Sequence, residues 1–203
     1  MTPEYIAHLS KDKKLKKLIE QQGVHRIEPH HNICMRLCIS IMSQQLSTKV
    51  AQVFHKRFLD LFKGRDPSPK QILNIPYETL RSIGLSHAKA NYVHNIARFA
   101  LEYSLDGEKL GAMNDEELIV YLGTIKGVGR WTAEMLMMFT LGREDLFALD
   151  DLGLQQAMIR LYRLDNSDRK KFKADMTRIS KKWSPYRTYA CLYLWGMKDN
   201  SPN

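Results

Sequence analysis

Two neighbouring aspartates, Asp150 and Asp151, stand in the stretch FALDDLGLQQAM (147–158), where an apolar run gives way to helical periodicity. Leu154, Ala157, Met158, Leu161 and Tyr162 would form one apolar helix face, so a helix should start near the acid pair. An aspartate at an N-cap accepts a hydrogen bond from an amide two or three residues on, and one acid satisfies that need. The second carboxylate is then left to point elsewhere. A fixed, ionised carboxylate can stabilise positive charge that develops on a substrate, or orient and deprotonate a water. Taken alone, the pair reads first as two plain helix-start residues, and only a second feature would make it a site.

That feature lies about 20 residues upstream, in LGTIKGVGRWTAEMLMMF (122–139). One helix should end near Leu122, a turn should cover Lys126, Gly127, Val128 and Gly129, and a second helix should run from about Arg130. The two glycines allow backbone conformations closed to other residues and close approach of a ligand. Amides at the start of the second helix favour an anion. Val128 can plug back between the helices, with Leu122, Ile125, Ala133 and Met137 packing the pair. By spacing, a phosphate cradle and a simple helix–helix turn stand level.

The elements that must position these residues are helical. Segments near 12–22, 32–44, 48–63, 86–103, 114–122, 129–141, 152–163, 168–182 and 185–197 repeat apolar residues every three or four positions. Ser47 and Ser86 precede two of them, and Asn114 with Glu117 forms a capping-box pattern. Pro67, Pro69 and Pro76 punctuate the connection between longer helices. No alternating run supports a strand. The expected class is all-α.

Composition narrows the partners. The chain has 203 residues, 44% of them hydrophobic, which is enough for one cored domain or two small lobes. Lys and Arg total 31 against 22 acids, a net charge of +9 that favours an anionic partner, nucleic acid above all. The dense KDKKLKK run at 11–17 reads better as the solvated face of a helix whose other side is Leu15, Leu18 and Ile19. The longest apolar runs are too short to span a bilayer, and no helix joins a basic face to a wide apolar one, so a membrane role is not expected. The three cysteines, Cys34, Cys38 and Cys191, suggest a reducing compartment and are too few for a four-cysteine cluster. His30, Cys34 and Cys38 share a stripe, but Cys38 sits in an apolar run and packing explains it better than metal does. No metal-ligand set is expected.

Leu122, Ile125, Gly127, Val128, Gly129, Thr132 and Ala133 match the helix-hairpin-helix DNA-binding pattern, and LDD follows. Together they resemble the helix-hairpin-helix (HhH-GPD) superfamily of base-excision DNA glycosylases. SIMSQQLSTKVA (40–51), LRSIGLSHAKANYVHNIA (80–97) and WSPYRTYACLYLW (183–195) are similar to further blocks of it, in the same order. Within the superfamily the chain looks like the 3-methyladenine DNA glycosylases of the AlkA and yeast Mag type.

The resemblance implies two helical lobes flanking a cleft, with approximate spans 35–145 (hairpin 115–141) and 1–34 plus 146–203. Too few residues precede CMRLCISIMSQQ for the N-terminal β domain of bacterial AlkA. The family pattern gives catalysis to Asp151 and leaves Asp150 as the helix cap. It makes Trp131 and Trp195 walls of a base pocket, Trp195 as the stacking platform, with Met135 where AlkA has tyrosine. Gln45 takes the wedge position that enters the duplex, Leu46 beside it. Lys126, Gly127, Val128, Gly129, Arg130 and Thr132 form the DNA-binding hairpin, with Lys89 as a weaker candidate for a backbone contact. Bifunctional members carry a lysine directly after the position of Arg130; Trp131 there implies no lyase step. The implied reaction is excision of alkylated purines from damaged double-stranded DNA by a monomer, without a cofactor, although some relatives hold a monovalent cation at the hairpin. Its compartment would be cytoplasm or nucleoid in a prokaryote and nucleus in a eukaryote. A uracil or mismatched-thymine glycosylase and a non-catalytic damage-binding protein are the alternatives.

Overall fold

The computed structural model describes residues 2–46 and 48–199. Among these there are thirteen α-helices and no strand. They divide into two compact units, residues 28–141 and residues 1–27 with 142–203. The expected lobe boundaries were several residues off at both crossings. His30 N–H donates to Thr140 O (3.0 Å) and Asn32 caps the helix that follows it, which ties 28–34 to the first of these units. Thr188 bonds Arg143 O and the Leu146 amide, and Arg187 grips Asp145, which ties 142–146 to the other.

The discontinuous unit opens with α1 (Glu4–Leu9) and α2 (Lys13–Gln22). Asp12 caps α2, accepting from the Lys14 and Leu15 amides. Leu15, Leu18 and Ile19 are buried while Lys13, Lys14, Lys16 and Lys17 are exposed, so the lysine run is a solvated helix face.

The continuous unit holds α3 (Ile33–Ser43), α4 (Thr48–Asp60), α5 (Pro69–Leu73), α6 (Tyr77–Ser82), α7 (His87–Phe99), α8 (Gly107–Ala112), α9 (Asp115–Gly123) and α10 (Arg130–Phe139). The expected cap of α4, Ser47, lies outside the described residues. Helix α3 packs on α4, α7 and α10. Leu37, Cys38 and Ile41 of α3 have no solvent exposure, and apolar area removed from water on this scale is the main favourable term in folding. Cys38 Sγ lies 3.9 Å from Val93 O in that core. The Asn114–Glu117 capping box closes the start of α9 in both directions. The expected long helix over 86–103 ends at Phe99 and continues as a π-helical turn, Ala100–Ser104.

The chain returns to the discontinuous unit with α11 (Leu152–Tyr162), α12 (Arg169–Ser180) and α13 (Arg187–Asp199). Helix α13 packs on α11 and on α2. Trp183, 1% exposed, is core: its indole N–H reaches Asp12 Oδ2, which also accepts from Tyr162 (2.7 Å). Burial raises the Asp12 pKa, but the four bonds from Tyr162, Lys14 N, Trp183 and Leu15 N outweigh it and hold the carboxyl below its ordinary range.

Candidate functional site

In the continuous unit, α9 and α10 form the hairpin. Ile125 N–H donates to Leu122 O (3.0 Å) and Val128 N–H to Ile125 O (2.9 Å), so the turn is closed by its own backbone. Val128 is 5% exposed, and Leu122, Ala133 and Met137 are fully buried. Gly127 has φ +107°, and a Cβ there would sink into the Tyr92 ring of α7. The two glycines differ. Gly129 has φ −98°, which any residue adopts, and nothing lies within 4 Å of where its Cβ would stand. Only Gly127 needs glycine's conformational freedom. Gly129 instead leaves open space at the N-terminus of α10, where it is the N-cap and no side chain caps the first-turn amides.

The neighbouring cations are placed differently from one another. Lys126 is exposed. Arg130 is half exposed and pairs with Glu116 (2.5 Å) and Glu134 (3.5 Å). Thr132, expected at the DNA surface, is 1% exposed, and its hydroxyl accepts from Gln44 Nε2 (2.9 Å). Buried in this way, Thr132 braces the hairpin unit from within. Trp131 and Met135 are half-buried and lie four residues apart, hence on one face of α10.

At the end of α3 the chain turns through Gln44, Gln45 and Leu46. Gln45 is exposed and left-handed (φ +59°), and Leu46 N–H donates to Ser43 O (3.2 Å). Lys89 is half-buried, and Nζ donates to Met42 O (2.9 Å) and Gln44 O (2.8 Å). Burial lowers its pKa.

In the discontinuous unit the acid pair divides its work, and the cap assignment reverses. Asp151 N–H bonds Ala148 O (3.0 Å), closing a turn that delays the helix to Leu152. Asp151 is therefore the N-cap, accepting from Leu154 N–H through Oδ1 (2.8 Å). Asp150, one residue too early to cap, turns to solvent and pairs with Lys173. Asp151 Oδ1 also accepts from the indole N–H of Trp195 (2.9 Å). Trp195 thus commits its edge to the carboxylate. Gly153 makes room for this: a Cβ there would stand 3.0 Å from Asp151 Oδ1 and 3.2 Å from the Trp195 ring. Sequence reasoning missed Gly153 and Tyr92; a glycine two residues after an acid in a first helical turn was the available signal. Asp151 and Trp195 are brought together here, whereas Trp131, Met135, Gln45 and the hairpin belong to the other unit.

No three His, Cys, Asp or Glu side chains among the described residues converge as metal ligands. No helix among them is long and apolar enough to cross a membrane.

The hairpin is thus closed by its own backbone, and a carboxylate is fixed at the start of a later helix. Residues 38–183 match the HhH-GPD superfamily base excision DNA repair protein model, and the chain belongs to that family. Schizosaccharomyces pombe alkylbase DNA glycosidase-like protein mag2 is 34% identical over 194 residues, 93% of this chain and 90% of its own. The Bacillus subtilis protein YfjP is 39% identical over 168 residues, and the match covers 80% of this chain and 57% of that longer protein. The solved S. pombe 3-methyladenine DNA glycosylase (Mag1) in complex with abasic DNA superposes with a TM-score of 0.87 at 31% identity, covering 98% of both chains.

Proposed function

We propose that this protein is a monofunctional DNA glycosylase that removes alkylated purines, of the 3-methyladenine and 7-methylguanine class, from duplex DNA and leaves an abasic site. The observation that carries this is the Asp151 carboxylate, held through Oδ1 by the Leu154 amide and the Trp195 indole. Cleaving the N-glycosidic bond builds positive charge on the sugar, and a fixed carboxylate stabilises that charge as it forms. The bond's electron pair leaves with the base. A base made cationic by alkylation departs neutral, so little acid catalysis is asked of the protein. Water adds to the sugar and gives its proton to Asp151. A tryptophan follows Arg130, so no amine stands there to form a Schiff base with the sugar.

The target nucleotide must first leave the duplex. In this reading the α10 N-terminus and Gly129 hold a phosphate, Lys126 adds charge, and the Gln45–Leu46 corner fills the gap. Trp131 and Met135 line the base pocket, and the partner is damaged duplex DNA. The test is release of free bases from randomly methylated duplex DNA by wild type and by Asp151→Asn. Release of 3-methyladenine or 7-methylguanine by wild type alone is expected. Equal release by both proteins refutes the role of Asp151. No release by either, with DNA binding intact, points to a neutral lesion.

A further inference from the structure

We propose that Lys89 is a positioning residue that sets the Gln44–Leu46 corner for its entry into DNA. This rests on the reading of that corner as the wedge. Lys89 is the third residue of α7, after its cap Ser86, and its own amide bonds Ser86 Oγ (3.2 Å). A cation at a helix N-terminus is in the wrong place for that helix's dipole. Its side chain is spent on a different helix. The last carbonyls of α3 have no intrahelical donors, and Nζ bonds two in this stretch, Met42 O at 2.9 Å and Gln44 O at 2.8 Å. The side chain of Gln44 is held on its other side by Thr132 Oγ1 of α10 (2.9 Å). Gln44 is thus pinned through its carbonyl to α7 and through its amide to α10.

The next residue needs such support. Gln45 has φ +59°, a left-handed conformation that is unfavourable for a residue bearing a side chain. The corner borders a hollow of about 290 Å³ that Met42, Leu46, Phe54, Leu85 and Lys89 help to line. The bonds from Lys89 tie the corner to α7 across that hollow. Desolvation of the ammonium, which lowers its pKa, agrees with a group turned inward.

The competing role is a phosphate contact, and salt separates the two. Removing one phosphate contact flattens the slope of log K against log [salt] by about 0.9. Removing a clamp leaves the slope alone. Lys89→Met, with Lys89→Gln as the milder replacement, is compared with wild type for this slope, for single-turnover excision from methylated duplex, and for the fluorescence of 2-aminopurine beside the lesion as a flipping signal. The expectation is an unchanged slope, excision slowed about tenfold or more, and a weaker flipping signal, in protein shown to be folded by its thermal transition. In a Gln45→Ala background Lys89→Met should add little, because both act through one corner. A flattened slope, or full additivity with Gln45→Ala, overturns the proposal while leaving the wedge intact. If Gln45→Ala alone changes neither flipping nor excision, the wedge reading fails, and the role of Lys89 falls with it.

Discussion

Replacing the two hairpin glycines one at a time should separate folding from binding. Alanine at Gly127 must hold φ near +107° and place a methyl group inside the Tyr92 ring. Backbone strain of this kind costs about 1–3 kcal/mol and forced overpacking about 1–3 kcal/mol more. The sum, about 2–6 kcal/mol, is a large share of a stability of roughly 5–15 kcal/mol. At about 2–4 °C per kcal/mol for a chain of this size, Tm should fall by roughly 5–20 °C. Serine at Gly129 meets neither problem, since φ is −98° and no atom lies within 4 Å of the new Cβ. Serine is also the better N-cap by a few tenths of a kcal/mol, so Tm should hold or rise slightly. What Gly129→Ser should lose is the approach of a phosphate to the α10 amides. Losing one charge-assisted hydrogen bond, at about 1.5–3 kcal/mol, predicts a roughly 10- to 100-fold weaker grip on abasic-site DNA. Differential scanning fluorimetry and fluorescence anisotropy with a labelled abasic duplex measure both quantities. A stable Gly127→Ala refutes the conformational argument. A Gly129→Ser protein that binds as wild type does, or that unfolds as early as Gly127→Ala, refutes the assignment of open space to a ligand.

Three further outcomes follow from the acid sites. Asp151→Asn should keep Tm within a degree or two while abolishing excision, because asparagine caps as well as aspartate; Asp151→Ala should also lose about 1 kcal/mol by denaturant unfolding. Trp195→Phe keeps a ring but removes the donor to Asp151 Oδ1. Single-turnover excision should fall about tenfold or more for a cationic and a neutral lesion alike, and a loss confined to cationic lesions would assign Trp195 to stacking alone. Asp12, whose folded pKa is depressed below 3.8, adds stability that is fully present above that value and is lost as pH falls through the folded pKa. The stability gap between wild type and Asp12→Asn, measured by urea unfolding, should therefore be constant from about pH 7 to 5 and close below about pH 4; a gap that persists at low pH would refute the role of the charge.

The long helices were legible because each carries two or more turns of apolar period. Nine segments read from the sequence correspond to nine observed helices, with ends displaced by a few residues. Helices α1, α5, α6 and α8 were not legible, since five or six residues give too little repeat to detect. The hairpin was legible in its spacing, but the unequal need for its two glycines was not, because Tyr92 meets Gly127 only in three dimensions. The acid pair was located and its division misread: a cap is uncertain by one residue until the preceding turn is known, and here Asp151 N–H on Ala148 O decides it. The bonds of Lys89 were not legible for a different reason. A lysine in a basic chain reads as surface charge, and its carbonyl partners stand 45 and 47 residues away.

The unit that carries Asp151 is stitched from two distant parts of the chain. Gln22 reaches Tyr193 O and Trp183 reaches Asp12, each across 171 residues, and Tyr5 stacks on Tyr189 with ring centroids 3.9 Å apart. The hairpin unit, by contrast, is one unbroken stretch, 28–141. During synthesis every residue of that unit has been made before Asp151 is added, while α1 and α2 wait for α13. Contacts between such remote segments close a long loop and form slowly. Folding of the hairpin unit can therefore finish first, and the carboxylate assigned to cutting the glycosidic bond is set only once α13 arrives to pack on α11 and α2.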